Sequence, residues 1–383
     1  MNLYLQKQNS ADCCGCSACV QACPTACLHM RKTEEGFLYP SADFEKCINC
    51  GLCEKVCPME HFPLQTDKQQ CFAAIHNSSE TLRASSSGGV FYALAENILA
   101  QGGAVFGAAL DDDRVLRHTF VNDIADLPKL MGSKYIQSEM QDSFAQVHDL
   151  LQKGTVVLFV GTPCQVAGLR LYLQKAYENL FTVDLLCHGV PSDKMFQAYV
   201  DFLEKKHGGR LTDIRFRDKE KNGWSITLRY DIEKNGKTKR HYVPAGLSPY
   251  FFAFLRGKIL RESCYRCPYT KTARPGDLTL ADFWGVEKVL PDLQTSQGCS
   301  AVIANTEKGK RLFGAVQSAF AAVPATMEQV TVQNINFFEP CKRPEIRDTV
   351  YAQLDEYGFH KLADMYFKNP RRMRMRIKQI FKF

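Results

Sequence analysis

Cys13-Cys14-Gly15-Cys16-Ser17-Ala18-Cys19-Val20-Gln21-Ala22-Cys23-Pro24 and its echo Cys47-Ile48-Asn49-Cys50-Gly51-Leu52-Cys53-Glu54-Lys55-Val56-Cys57-Pro58 decide how the chain begins to fold. Both read C-x2-C-x2-C-x3-C-P. Thiols at i, i+3 and i+6 wrap a loop around three corners of a 4Fe–4S cube, and the proline turns the chain after the fourth. In this spacing the fourth cysteine of each run ligates the other cluster. Cys13, Cys16, Cys19 and Cys57 are thereby assigned to one cluster, and Cys47, Cys50, Cys53 and Cys23 to a second. Structural zinc also uses C-x2-C pairs, but it does not call for two complete runs each closed by Cys-Pro. Residues 29–32 and 37–39 flank Glu34-Glu35-Gly36 as a hairpin. Cys14 and Cys27 fall outside the spacing and read as small packing residues.

Segment 1–62 is therefore expected to be an α+β ferredoxin-like dicluster domain, a carrier of single electrons. The total of 17 cysteines is odd and closely spaced, which suits a cluster protein better than a disulfide framework. With 383 residues there is room for two or three domains. A composition 45% hydrophobic and 23% charged excludes a disordered, collagen-like or coiled-coil chain. Residues 1–12 show no apolar signal core, and the apolar stretch 155–173 is broken by Gly161, Pro163 and Arg170, so neither export nor a membrane span is expected. The expected location is cytoplasmic, where thiols stay reduced.

The net charge of +7 is concentrated at one end: Lys368, Arg371, Arg372, Arg374, Arg376, Lys378 and Lys382 have no acid after Asp364. The remainder is close to neutral, so no nucleic-acid partner is expected. Met373, Ile377, Ile380 and Phe381 would share one helical face of this tail. It reads either as a peripheral membrane contact or as a basic solvated terminus.

After a polar linker, 63–70, strands and helices alternate. Helical stripes occupy 90–99, 140–151 and 166–173, with another after Pro191-Ser192-Asp193; buried strands occupy 104–108, 155–160, 181–186 and 277–281. The pattern predicts an α/β core with a mostly parallel sheet over 71–345. Residues 214–242, with Asn235-Gly236 at a turn, read as an inserted antiparallel hairpin. Residues 346–383 form a C-terminal helical segment ending in the basic tail.

Cys164 and Cys187 each follow the end of a strand, so parallel strands would bring both to one sheet edge, where such folds bind ligands. Cys264 and Cys267, followed by Pro268, form C-x-x-C-P. These four could close a third 4Fe–4S site; packing thiols and a zinc or redox pair remain the alternatives. Ser86, Ser87, Gly88 and Gly89 precede free helix N–H groups and could seat a phosphate, although serine also caps helices ordinarily. Lys134 could offer a cation to a cofactor, with a surface turn as the alternative. Asp282 after its strand reads as a cap, a cofactor-orienting group or a proton relay. His188 could supply a proton or be structural.

Ser86-Ser87-Gly88-Gly89-Val90, Gly161-Thr162-Pro163-Cys164-Gln165, Cys187-His188-Gly189, Ser263-Cys264-Tyr265-Arg266-Cys267 and Asp282-Phe283-Trp284-Gly285 occur in this order behind the two cysteine runs. In this the chain resembles the coenzyme F-420 hydrogenase/dehydrogenase beta-subunit family, which includes the plant-type hydroxymethyl chlorophyll a reductases. The likeness covers roughly 10–345. It implies an FAD-containing iron–sulfur oxidoreductase, with Cys164, Cys187, Cys264 and Cys267 as ligands of the third cluster and Thr162 among the cofactor-binding residues. Family members pass electrons between a deazaflavin coenzyme, or another two-electron partner, and one-electron carriers. A ferredoxin-like donor or acceptor and a small-molecule substrate are implied partners, and some members sit among surface-polysaccharide genes. The alternative is a non-catalytic electron-transfer subunit serving a partner enzyme. Ala281 departs from the glycine expected there, and Cys71, Cys299 and Cys341 have no assigned role.

Overall fold

The computed structural model describes residues 1–65 and 68–370. β1 (Leu28–Lys32) and β2 (Leu38–Ala42) pair antiparallel as the hairpin between the two cysteine runs. The runs share a backbone path. The second residue after the leading cysteine, Gly15 or Asn49, is left-handed, and so is the fourth, Ser17 or Gly51. Each then enters a single-turn helix, Ala18–Gln21 or Leu52–Lys55, that carries the third cysteine. Glycine occupies only one position of each matched pair. The polar Asn and Ser tolerate the same conformation at the other.

Further strands are β3 (Gln70–His76), β4 (Ala104–Leu110), β5 (Leu116–Val121), β6 (Val157–Gly161), β7 (Leu180–Leu185), β8 (Arg210–Arg215), β9 (Thr227–Lys234), β10 (Lys237–Pro244), β11 (Leu278–Asp282), β12 (Ser300–Ala304) and β13 (Phe320–Ala325). Eight of them make one sheet in the order β13-β3-β12-β11-β7-β6-β4-β5. Its centre, β4, β6, β7 and β11, is parallel. Antiparallel partners complete it, β5 on one side and β12, β3 and β13 on the other. The α/β core is as read from the sequence. The parallel strands are near-continuous apolar runs, as burial on both faces requires.

Three details differ from the expectation. β3, with its two central alanines, lacks a β-branched signature and is made a strand by pairing with β12 and β13. The inserted unit has three strands, β10-β9-β8, because β8 joins the β9–β10 hairpin. Asn235 and Gly236 at that hairpin's tip both have positive φ, as a tight primed turn requires. The polar stretch after the second cysteine run is tied down: Gln65 N donates to Arg274 O at 2.8 Å, and Gln69 Nε2 to Thr272 O at 2.8 Å.

One face of the sheet contributes Phe106 and Phe159 to a core that also contains Phe37, Tyr39 and Val56 of the cysteine-rich segment. The opposite face packs Val105, Leu158 and Leu280 against helix Val90–Leu99. The cysteine-rich segment is thus part of the main core. Among the described residues no helix is long and apolar enough to cross a membrane. The amphipathic reading of the tail falls on 371–383, outside the described residues.

Candidate functional site at the parallel strand ends

β6, β7 and β11 run parallel, so their C-terminal ends share one edge, and a cavity of about 480 Å³ opens there. Ser86, Ser87, Gly89, Lys134, Thr162, His188 and Asp282 line it, as do Cys164, Cys187, Cys264 and Cys267. The structure therefore brings together residues scattered over the length of the core. Gly88 stands behind the wall. A Cβ there would come within 2.0 Å of Ala74 O, so only glycine lets this turn lie flat on β3.

The four thiols of the cavity face one another. Burial raises Cys187 to about 12, and the facing Cys164 and Cys267 add to it. Cys264 is raised first by burial and then by Cys187 and Cys267. Such a crowd of buried thiols is uncomfortable as thiolates unless a cationic centre takes them up, and four of them fit a 4Fe–4S core. Among the described residues no three His, Cys, Asp or Glu side chains converge closely enough for a single metal ion. Among the N-terminal thiols, Cys19 senses the charge of Cys13, Cys57 and Cys53, and Cys16 that of Cys19 and Cys57, so thiols of both runs lie close together. Cys23 lies with Cys27, their sulfurs 3.3 Å apart.

Cys14 and Cys27 are buried in the main core, as small packing residues are, and each also lies beside other thiols. Cys14 lies beside both Cys16 and Cys164, which act on its thiol in opposite directions, so it stands between the N-terminal set and the cavity set. The two sets approach because helix Pro163–Leu173 carries Cys164 in its first turn and Gly168 one turn later. A Cβ on Gly168 would sit 3.0 Å from Cys16 Sγ.

The Ser86–Gly89 turn is held by hydrogen bonds to its neighbours in the cavity wall and behind it. Ser87 Oγ donates to Cys299 O at 2.9 Å, Gly88 N to Ser300 Oγ at 2.9 Å, and Ser133 N to Ser86 Oγ at 2.8 Å. Gly89 precedes helix Val90–Leu99 at φ 87 with no side-chain cap, so the first helical N–H groups are open to a ligand. Lys134 Nζ donates to Met131 O at 2.9 Å, and burial lowers its ammonium to about 7. Open helix N–H groups beside a lysine suit a phosphate, so the residues fit a flavin nucleotide.

Asp282 accepts from Arg217 Nη1 at 2.6 Å, Arg217 Nη2 at 3.0 Å and Trp224 Nε1 at 2.9 Å. Burial alone would lower the guanidinium; Tyr135 and Asp282 hold it ionised instead. Arg217 also lies over the Trp284 ring at 5.3 Å, and Trp284 stacks on Trp224 at 4.6 Å. Thr162 spends its hydroxyl locally, 3.2 Å from Cys164 Sγ and 3.0 Å from Gln165 Oε1. His188 Nδ1 is 3.4 Å from Asn336 Oδ1, its Nε2 is buried without a partner among the described residues, and burial lowers its pKa. Arg217 and Trp224 are not singled out by the sequence. Their signal is a charged run, Arg217-Asp218-Lys219, that reads as solvated in a hairpin but is buried here.

Comparison with known proteins finds two family matches along the chain. Residues 154–328 match the C terminus of the "Coenzyme F420 hydrogenase/dehydrogenase, beta subunit" family, and 12–61 match the 4Fe-4S dicluster domain. The resemblance drawn from the motifs is borne out. An uncharacterized protein in the rpl9-rpl11 intergenic region of Porphyra purpurea is 38% identical over 48 residues, 12% of this chain and 64% of that protein. The match thus spans less than two thirds of that relative's length. A chain in a structure of the F420-reducing [NiFe] hydrogenase complex from Methanosarcina barkeri superposes with a TM-score of 0.46 at 17% identity, covering 76% of this chain and 94% of that one.

Proposed function

We propose that this chain is an iron–sulfur flavoprotein oxidoreductase that passes electrons between 4Fe–4S clusters and a small organic substrate or a deazaflavin-like coenzyme. The observation that carries the reading is the sheet-edge cavity, where four cysteines face an uncapped helix start and two cations, with Cys14 bridging to the dicluster thiols. FAD, when bound, supplies the exchange between the single electrons of clusters and the electron pairs of hydride chemistry.

The protein's own part is positional. The N–H groups after Gly89 and the Lys134 ammonium bind and orient phosphate. Arg217, clamped by Asp282, presents a fixed positive charge and keeps Trp284 in place. This makes Asp282 an orienting group, since its oxygens are already engaged. His188, neutral near pH 7, can hold a proton at its buried Nε2 in the cavity wall. Cys164, Cys187, Cys264 and Cys267 hold the third cluster, and Cys14 closes the gap behind it. Anaerobic purification tests this as a whole. About twelve iron and one flavin per chain are expected from three four-iron clusters. About eight iron without flavin would remove the third cluster and the flavin step together.

A second reading, an electron-transfer subunit serving a partner enzyme, has an observation of its own. Phe44 (63% exposed) and Ile48 (64%) form an apolar rim beside exposed Cys50, as a docking redox partner such as a ferredoxin-like carrier would require. Turnover that appears only when a genetically adjacent protein is added decides for it.

A further inference from the structure

Between the N-terminal thiols and the cavity thiols lies a buried cation without a carboxylate. Arg261 is fully buried, at 0% exposure. Its Nε donates to Cys13 O at 2.8 Å, Nη1 to Gln137 Oε1 at 3.0 Å and Nη2 to Leu38 O at 2.9 Å. Nη2 also lies 3.6 Å from Cys13 Sγ. The guanidinium covers the Tyr39 ring at 3.9 Å. Two carbonyls, an amide and a thiol take its hydrogen bonds, and among the described residues no Asp or Glu pairs with it.

The comparison within the molecule is direct. Arg274, 1% exposed, stands near Cys187 and Cys267 but places Nε and Nη2 on Asp184 Oδ1 at 2.9 and 2.6 Å. Arg217 is matched by Asp282. A buried charge without an opposite charge is costly. Among the described residues the only thiol that Arg261 approaches within hydrogen-bonding range is Cys13, while Cys264 and Cys164 of the cavity set lie within its electrostatic reach.

We propose that Arg261 is the built-in counter-cation of the cluster held by Cys13, and that it raises the reduction potential of that cluster. The inference rests on the reading of Cys13 as a cluster ligand. Reduction adds one electron to an already anionic four-thiolate site, and neither a bond nor a proton moves. Burial of Cys16, Cys19 and Cys57, with Cys13 half-buried, disfavours that extra charge, whereas the second N-terminal site, with Cys50 exposed, has solvent to stabilise it. A fixed guanidinium with a hydrogen bond to a ligand sulfur offsets the burial. It brings the inner site into the range of the outer one, so electrons can pass in either direction. Arg261 is thus a positioning residue for electron transfer and touches no substrate.

The test is an EPR-monitored redox titration of the full chain carrying its clusters. Cys13→Ser identifies the signal that should move. Arg261→Gln should lower that midpoint so that the reduced-to-oxidised ratio at fixed potential falls at least about tenfold, about 59 mV for one electron. Arg261→Lys should recover most of it, and the signal of the outer site, with Cys50 exposed, should stay in place. Gln137→Glu is isosteric, leaves Arg261 packed and sets a carboxylate on Nη1; it should lower the same midpoint even if Arg261→Gln fails to fold. An unmoved midpoint in Gln137→Glu at unchanged iron content overturns the role of Arg261. A Cys13→Ser chain that keeps every cluster signal overturns the ligand reading instead.

Discussion

The N-terminal thiols and the cavity thiols are held by opposite means. The first eight sit on two short loops whose shape is written in twelve consecutive residues each, and the outer set reaches solvent at Cys50. The four at the sheet edge come from separate strand ends and a distant turn, and none of them is exposed. A loop-borne set can be assembled and refreshed from outside. A sheet-borne set is only as good as the whole fold, but it can be placed against a second cofactor with fixed geometry. Under the proposed function, the difference divides the work: exchange at the loops, chemistry at the sheet.

Substitution of one thiol from each group would break the comparison most directly. Cys187→Ser should cost about four iron per chain and abolish flavin-dependent turnover, with the N-terminal EPR signals intact. Cys50→Ser should remove the outer signal and slow exchange with a protein partner, while turnover driven by a small artificial reductant continues. Equal effects of the two on that artificial assay would erase the division.

Next in size is Arg217→Gln. It leaves Asp282 half-buried with only the Trp224 indole, and breaking such a pair costs about 3 kcal/mol. Chemical denaturation of the chain should read that loss, together with reduced flavin retention. Gly168→Val probes the junction between the groups. Its Cβ would sit 3.0 Å from Cys16 Sγ, and overpacking of this kind costs about 1–3 kcal/mol, seen as a lower melting temperature and weaker iron retention.

The smallest effect is a pH dependence confined to the cavity. Burial lowers Lys134 from 10.5 to about 7, so the unfolded chain holds that proton more tightly. Its penalty on folding is therefore full below pH 7 and fades as pH rises toward the unfolded value. A bound phosphate reverses the preference by favouring the ammonium. Flavin binding at pH 8 should take up close to one proton, and affinity should fall by about tenfold per pH unit above 7. Calorimetry in two buffers of different ionisation enthalpy measures the uptake, and Lys134→Met should abolish it.

How much can be read from the chain follows the same division. The cysteine runs are legible because a cluster loop needs its ligands at fixed short spacing. The parallel strands are legible as apolar runs closed by turns. β3 and β8 are not, since their alanines and charged residues become strand only through pairing partners far along the chain. Arg217 and Arg261 are invisible for a related reason. A charged residue reads as surface until the fold supplies the group that neutralises it, here Asp282 for one and the Cys13 neighbourhood for the other. The spacing of Cys14 discounts it, yet its place between Cys16 and Cys164 is set by helix Pro163–Leu173, which no local rule connects to it.

That helix has a mechanical consequence. Cys164 in its first turn belongs to the cavity and Gly168, four residues and about 6 Å further along the axis, packs against Cys16. The two residues share one rigid element. The helix acts as a ruler rather than a swinging arm, and electron hopping between the inner sites should be indifferent to solvent viscosity and to the motions of whatever docks at the surface.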